Sequence, residues 1–323
     1  MAAMLRSMST SKPRDGAPLE QAHPVGFCRQ LCASEPLAGT ATVAASGHGI
    51  TRWVLLEDGG PWGAKTPKDS SLPQPVIEWL LARNAEPRTR VQLIRRPGSR
   101  CGSRRRLIVV EAPAQPSQRR MIEIEVELDD IPGLELEPLV RAAPAHPSLA
   151  ELWLVCTHGT RDRCCAKWGM PVFEALRQRD PERVWQCSHL GGHRFAPTML
   201  SLPDGLHWGR VELSRLDPLR DALRAGRLGE LDQLRGRCSH SRPVQAAECL
   251  VRARDSIYAD AALEFEDHEI LRDGRERVRF RRAPEPGQLS AVIEVELERF
   301  EFDFAAPSSC GDEPEQRSGY RLV

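Results

Sequence analysis

The run of strand and helix signals between residues 152 and 227 most constrains the fold of this chain. Apolar and branched residues predict four strands and amphipathic spacing predicts two helices. The strands are predicted over 152–156, 184–187, 199–202 and 206–211, and the helices over 166–179 and 218–227. The order is strand, helix, strand, Gly-rich turn, two strands and helix, which is the minimal thioredoxin-like plan. We therefore predict an α/β fold.

The first half of the chain carries a similar pattern. Strands are predicted over 51–57, 91–95, 107–111 and 121–128, and a helix over 75–83 after a Gly/Pro loop. The last of these strands alternates strictly between apolar residues and glutamates, so one face meets a core and the other meets water. The order strand, loop, helix, strand, strand over 53–111 suggests a degenerate internal duplication.

The proline and alanine mixture at 141–147 is the best candidate for a domain boundary. Beyond the second half, a helix is predicted over 243–258 and strands over 277–281 and 291–298. The predicted regions are a disordered leader (1–24), an N-terminal α/β region (25–147), a thioredoxin-like domain (148–228), a helical and β C-terminal region (229–304) and a disordered tail (305–323).

The composition excludes several classes of function. Lysine plus arginine equals aspartate plus glutamate, 45 against 45, so no whole-chain charge attracts nucleic acid or an anionic membrane. No stretch approaches the roughly 20 apolar residues of a membrane span, and the start lacks the apolar core of a secretory signal. Ten cysteines in such a chain predict reduced thiols or metal ligands rather than disulfides. We therefore predict a cytoplasmic protein.

Two cysteines and two histidines follow the ends of neighbouring predicted strands. Cys156 and Cys165 lie nine positions apart across a loop that closes onto a helix, and His189 and His193 lie four apart around a Gly-rich turn. Two thiolates and two imidazoles suit zinc or an iron–sulfur cluster and poorly suit magnesium or calcium. The two cysteines of a known zinc finger are closer together in sequence than Cys156 and Cys165. The wider spacing here favours a cluster with two irons.

The segments CTHGTRDRCCAKWG, VWQCSHLGGHRFAPTMLSLPDGLHWGRV and EDGGPWG resemble the sucrase/ferredoxin-like family, over roughly residues 25–260. The resemblance implies a thioredoxin-like ferredoxin domain at 148–228 and electron transfer through a [2Fe–2S] cluster. Carried over by position, the cluster ligands are Cys156, Cys165, His189 and His193. The word sucrase is a historical label, and nothing here shows the paired carboxylates that a glycosidase needs.

Histidine ligation has consequences for the redox chemistry. Neutral imidazoles donate less negative charge than thiolates, so the potential is expected towards the Rieske range of roughly −150 to +300 mV. A ligand imidazole can gain or lose a proton as the charge on iron changes, so we expect reduction to be coupled to protonation.

Four neighbouring residues have roles that the sequence leaves open. Cys164 adjoins Cys165, and Cys187 lies two residues before His189, so either is an alternative ligand. We favour Cys165 as the ligand and Cys187 as a buried thiol beside the site. His158 either donates a hydrogen bond to a cluster sulfur or faces solvent, and Arg194 either braces its loop or meets a redox partner.

Two rival functions use the same residues. One is a zinc-stabilised structural module with the same four ligands. The other is a thiol oxidoreductase of thioredoxin type using Cys164 and Cys165 or Cys156; the absence of C-x2-C at the strand-to-helix turn argues against it. Cys28 and Cys32 have helix-face spacing, and we favour buried free thiols over a second metal half-site.

The electrons must come from another molecule, because no G-x-G-x-x-G or P-loop motif provides a nucleotide site. Eight arginines lie in the basic segment 95–120, bounded by Arg95 and Arg120, and an acidic stretch follows at 123–137. The two stretches are either strand faces that attract each other or a docking surface for an acidic redox protein. Nucleic acid and membranes are not expected partners.

Overall fold

The computed structural model describes residues 49–99, 102–146, 148, 151–284, 289–309 and 312–323. The predicted leader (1–24) and the pair Cys28 and Cys32 lie outside the described residues. One sheet has nine strands in the order β4-β3-β1-β2-β6-β5-β7-β8-β9, and a second has four antiparallel strands in the order β10-β11-β12-β13. The predicted α/β class is confirmed.

The elements of the large sheet and its helices follow the chain in a simple order. The nine strands are β1 (Arg52–Glu57), β2 (Thr89–Arg95), β3 (Arg104–Glu111), β4 (Arg120–Glu127), β5 (Leu152–Cys156), β6 (Val184–Cys187), β7 (Thr198–Leu202), β8 (Leu206–Gly209) and β9 (Leu234–Arg237). The helices are α1 (Gln74–Ala85), α2 (Leu136–Ala142), α3 (Arg163–Arg179), α4 (Leu216–Arg224) and α5 (Arg242–Arg254). In the described part of the chain, no helix is long and apolar enough to cross a membrane.

The large sheet contains the same four-strand unit twice. In the first unit β1 is parallel to β2 and antiparallel to β3, which pairs with β4. In the second unit β5 is parallel to β6 and antiparallel to β7, which pairs with β8. Antiparallel pairing of β2 with β6, with Ile94 opposite Cys187, joins the two units. The strand order and pairing of the first unit thus repeat in the second, while the duplication itself stays a prediction.

Apolar residues on both faces of the central strands explain this arrangement. Leu55 on β1 and Leu154 on β5 belong to one buried cluster shared by the two units. Their neighbours Leu56 and Val155 face the opposite side, among side chains of α1 and α3 respectively. The large sheet and its central cluster therefore include residues from both sides of the boundary predicted near residue 147.

The C-terminal sheet corrects one prediction. Its strands are β10 (Leu263–Ile270), β11 (Glu276–Arg282), β12 (Ala291–Pro307) and β13 (Pro314–Leu322). The tail 305–323, predicted to be disordered, therefore includes the end of β12 and all of β13. The physical reason is long-range packing: Tyr320 and Leu322 contact the apolar cluster formed with α5, although their own segment is rich in charge.

Candidate metal centre

The candidate site lies where two parallel strands end. Cys156 is the last residue of β5 and is paired in register with Cys187, the last residue of β6. The loop after Cys156 returns to begin α3 at Arg163, which puts Cys165 in the first turn of that helix. The loop after β6 carries His189 towards the same edge, because the carboxyl ends of parallel strands meet there.

Three of the four predicted ligands meet at this edge. The Nδ1 atom of His189 lies 3.6 Å from the sulfur of Cys165 and 4.0 Å from the sulfur of Cys156. All three ligand atoms lie within 4.8 Å of one another. Both cysteines are fully buried, whereas the His189 side chain is 21 % exposed, so among these three residues His189 alone reaches solvent.

The fourth predicted ligand, His193, lies nearby but outside this group. It begins a short 3₁₀ turn (His193–Phe195) and is buried. Its Nδ1 atom lies 3.9 Å from a carboxylate oxygen of Asp162, and its Nε2 atom has no hydrogen-bond partner among the described residues. Burial lowers the pKa of His193, which favours the neutral ring that a metal requires. Among the described residues the buried Nε2 atom of His193 has no hydrogen-bond partner, so it fits the role of a further metal ligand.

The thiols differ in their ionisation. A hydrogen bond from the Cys165 thiol lowers the pKa of Cys156 well below its usual value, and the same bond raises the pKa of Cys165. The pair therefore favours one thiolate and one thiol before any metal binds. Burial raises the pKa of Cys187, which packs in the apolar cluster beside Cys156 and remains a thiol.

The structure brings Cys165, and not the adjacent Cys164, to this group. The side chain of Cys164 is buried in a separate small cluster with Ala196 and Trp168. Consecutive helix positions point about 100° apart, so one of the two cysteines faces the strand ends and the other does not.

His158 corrects an expectation. It is buried, and its Nδ1 atom accepts a hydrogen bond of 3.1 Å from the amide of His189. Its Nε2 atom donates to the carbonyl of Gly63 over 2.9 Å. Both ring nitrogens are thus engaged, so His158 neither faces solvent nor offers an N–H group to a sulfur. It joins the loop containing Gly63 to the loop containing His189.

Two further residues beside the histidines lie in places that the sequence did not reveal. Asp162 is 1 % exposed and lies beside both rings. Arg235, from β9, packs its guanidinium 4.0 Å from the centre of the Phe195 ring, and Arg194 lies 4.4 Å from the same ring. Positive charge therefore concentrates next to the loop that carries His193.

The residues present fit a thiolate- and imidazole-bound metal group. Cys156 and Cys165 would supply sulfur and His189 and His193 would supply nitrogen, and three of the four are almost fully buried. Such donors select iron–sulfur clusters or zinc over magnesium and calcium.

Comparison with known proteins agrees with this description. The sequence model of the sucrase/ferredoxin-like family matches residues 43–236, which is more than half of the chain. The chain therefore belongs to the sucrase/ferredoxin-like family. No curated protein and no solved structure matches it.

Proposed function

We propose that this chain is an electron-transfer protein whose [2Fe–2S] cluster is held by Cys156, Cys165, His189 and His193. The observation that carries the proposal is the meeting of two buried cysteines and His189 at one strand edge, in a member of a ferredoxin-like family. The cluster would supply reversible one-electron redox chemistry.

The protein side chains around the site suit this role. Burial keeps water away from the sulfurs of Cys156 and Cys165. The exposed edge of His189 gives electrons a short path to a partner. The arginines beside Phe195 add positive charge next to His193, which favours gaining an electron. A potential in the Rieske range, coupled to protonation, belongs to the same proposal.

A zinc-stabilised module is the second candidate. The observation that favours it is the compactness of the group, since the two sulfurs and the Nδ1 atom of His189 all lie within 4.8 Å of one another. A thiol oxidoreductase is less well supported, because both cysteines are fully buried and a substrate disulfide could not reach them.

The partner that we propose is a redox protein with an acidic face, in the cytoplasm. The basic segment 95–120 is the candidate contact, and several of its arginines line a cavity of about 450 Å³. Ion pairs with strand β4 join Arg104 to Glu127 over 3.3 Å and Arg106 to Glu123 over 2.9 Å. These ion pairs reduce the positive charge that is available to a partner. They also fit the alternative interpretation, in which the basic and acidic strands simply attract each other.

The first experiment is absorption and low-temperature EPR spectroscopy of protein purified without oxygen and reduced with dithionite, together with iron, sulfide and zinc analysis. A brown protein with two irons per chain and a Rieske-like signal that changes in both His189→Cys and His193→Cys would support the proposal. A colourless protein with one zinc per chain, even after cluster reconstitution, would exclude it in favour of the zinc module.

The docking surface needs a separate test, because its failure would leave the cluster assignment intact. The chain has no net charge, so the salt dependence of electron transfer to ferricyanide reports local charge. If electrons leave beside the basic segment, Arg104→Gln combined with Arg106→Gln should weaken that dependence, whereas the equally charged control Arg224→Gln combined with Arg227→Gln should preserve it. Equal behaviour of both variants would move the docking surface elsewhere.

A further inference from the structure

Asp162 occupies the position that usually caps a helix but uses its side chain differently. It is the residue immediately before α3, where aspartate commonly accepts a hydrogen bond from an amide of the first turn. Its carboxylate makes no such capping bond. The side chain is instead buried among the groups of the metal site, so helix capping does not explain why a carboxylate lies there.

The carboxylate lies beside both candidate histidine ligands. One oxygen, Oδ2, is 3.4 Å from Nε2 of His189, and the other, Oδ1, is 3.9 Å from Nδ1 of His193. A small rotation of either ring would shorten its nitrogen-to-oxygen distance to hydrogen-bond length. Because a carboxylate only accepts, each of these ring nitrogens is the one favoured to carry a hydrogen.

The opposite ring nitrogens are then available to a metal. In His189 the opposite atom is Nδ1, which faces the sulfurs of Cys156 and Cys165. Without the carboxylate, Nδ1 of His189 would be free to hold the hydrogen and donate it to the Cys156 thiolate, which would block its lone pair. Asp162 thus favours the one tautomer of His189 that can bind metal beside the thiols.

The orientation of Asp162 is fixed from two sides. Its backbone amide donates to the carbonyl of His158 and its carbonyl accepts from the amide of Cys165, at 3.1 and 2.9 Å. The hydroxyl of Ser309, at the tip of the β12–β13 hairpin, donates to Oδ1 over 2.7 Å. Ser309 lies beyond the residues that the family model covers, so a separate part of this chain supports the carboxylate.

We propose that Asp162 is a positioning residue that holds His189 with its hydrogen on Nε2 and thereby selects Nδ1 as its metal-binding nitrogen. The proposal rests on the proposed function only in taking Cys156, Cys165 and His189 as metal ligands, and it is indifferent to whether the metal is iron or zinc. Ser309 supports the carboxylate but does not touch the histidines in this arrangement.

Two measurements on the metal-free, full-length protein test the proposal. Long-range ¹H–¹⁵N correlation spectra of the imidazoles report which nitrogen of His189 carries the hydrogen. Titration with Co²⁺, followed by its sulfur-to-metal absorption, reports affinity. We expect the Nε2–H tautomer in the wild type and in the matched control Asp273→Ala, which removes an exposed carboxylate in the turn between β10 and β11. In Asp162→Ala we expect the Nδ1–H form to grow and Co²⁺ affinity to fall by about 10- to 100-fold.

Asp162→Asn provides a variant of the same shape in case the alanine variant folds poorly. Its amide oxygen can still accept from Nε2 without the negative charge, so its Co²⁺ affinity should lie between those of the wild type and Asp162→Ala. An unchanged tautomer in both Asp162 variants would overturn the proposal, and so would a loss of affinity in Asp273→Ala as large as in Asp162→Ala. The tautomer measurement decides the role of Asp162 even if the native group proves to be zinc.

Discussion

Gly169 on helix α3 approaches the carbonyl oxygen of Cys156 so closely that a Cβ atom on this glycine would lie 2.2 Å from that oxygen. The backbone of the helix that carries Cys165 therefore rests directly on the end of the strand that carries Cys156. Because Cys165 lies on this helix and Cys156 on this strand, we expect the distance between helix and strand to set the distance between the two sulfurs.

Gly169→Ala should separate the two cysteines. Real Cβ atoms do not approach a backbone oxygen at 2.2 Å, so the helix must move away from the strand. We expect a net loss of about 2 kcal/mol in the free energy of unfolding, because overpacking outweighs the roughly 1 kcal/mol by which alanine favours a helix. Urea unfolding and iron content of the purified variant measure the two effects.

Gly133→Ala is the matched control, because a Cβ there meets no atom within 4 Å. It should leave stability within about 0.5 kcal/mol of the wild type and leave iron content unchanged. Equal iron content in Gly169→Ala and the wild type would show that the contact does not set the ligand geometry.

The adjacent cysteines should behave in opposite ways. Cys165→Ser removes a sulfur that lies 3.6 Å from Nδ1 of His189, so we expect the iron retained on purification to fall by about tenfold or more. Cys164→Ser changes a thiol that packs against Ala196 and Trp168, so the iron content should be preserved. Metal analysis and visible absorption compare the two variants directly. A colourless Cys164→Ser protein beside a coloured Cys165→Ser protein would reverse the assignment.

The sequence predicted the strand ends at the site because the strands are buried on both faces. Each residue of β5 and β6 is buried, and the apolar run of β5 ends at Cys156, before the polar Thr157. The spacing of Cys156, Cys165 and His189 after those ends was therefore enough to predict that they meet.

Contacts between distant loops could not be predicted in the same way. His158 donates to the carbonyl of Gly63, 95 residues earlier, and Asp162 accepts a hydrogen bond from Ser309, 147 residues later. Strand β9 is not predicted from the sequence, because LRGR has no apolar run: Arg237 is buried in an ion pair with Asp260, and Arg235 is buried against the Phe195 ring. Local sequence patterns do not indicate partners that lie so far away in the chain.

Substitutions of His158 should separate hydrogen bonding from ring volume. Burial lowers the pKa of His158, which favours the neutral ring whose Nδ1 can accept from the His189 amide. His158→Phe keeps a ring but leaves that amide and the Gly63 carbonyl unpaired, and each unpaired group costs about 1–3 kcal/mol. His158→Gln retains one acceptor and one donor and should lose less stability and less iron. Urea unfolding of the apoprotein and iron analysis provide the comparison, and a phenylalanine variant as stable as the glutamine variant would contradict it.

Acid should destabilise the region of β9 and α5 in two steps. Burial lowers the pKa of His240 from 6.5 to about 4, so the unfolded chain binds its proton first and stability falls as the pH drops from about 6.5 to 4. Burial alone would raise the pKa of Glu248, but the guanidiniums of Arg237 and Arg252 outweigh it and lower this pKa to about 2. The stability that the carboxylate contributes is therefore present above about pH 4.5 and is lost as the pH falls towards 2.

His240→Gln isolates the first of these steps. A shift of this size in one buried group corresponds to roughly 3 kcal/mol, most of it lost between pH 6.5 and 4. Other buried histidines, including His158 and His193, titrate in the same direction and remain in both proteins, so the difference between variant and wild type belongs to His240. Urea unfolding of the apoprotein at pH 7 and pH 5 should give a smaller loss of stability in the variant. The same loss in both proteins would mean that His240 gains its proton without cost, because the Glu248 carboxylate fully offsets the desolvation of the ring beside Phe265.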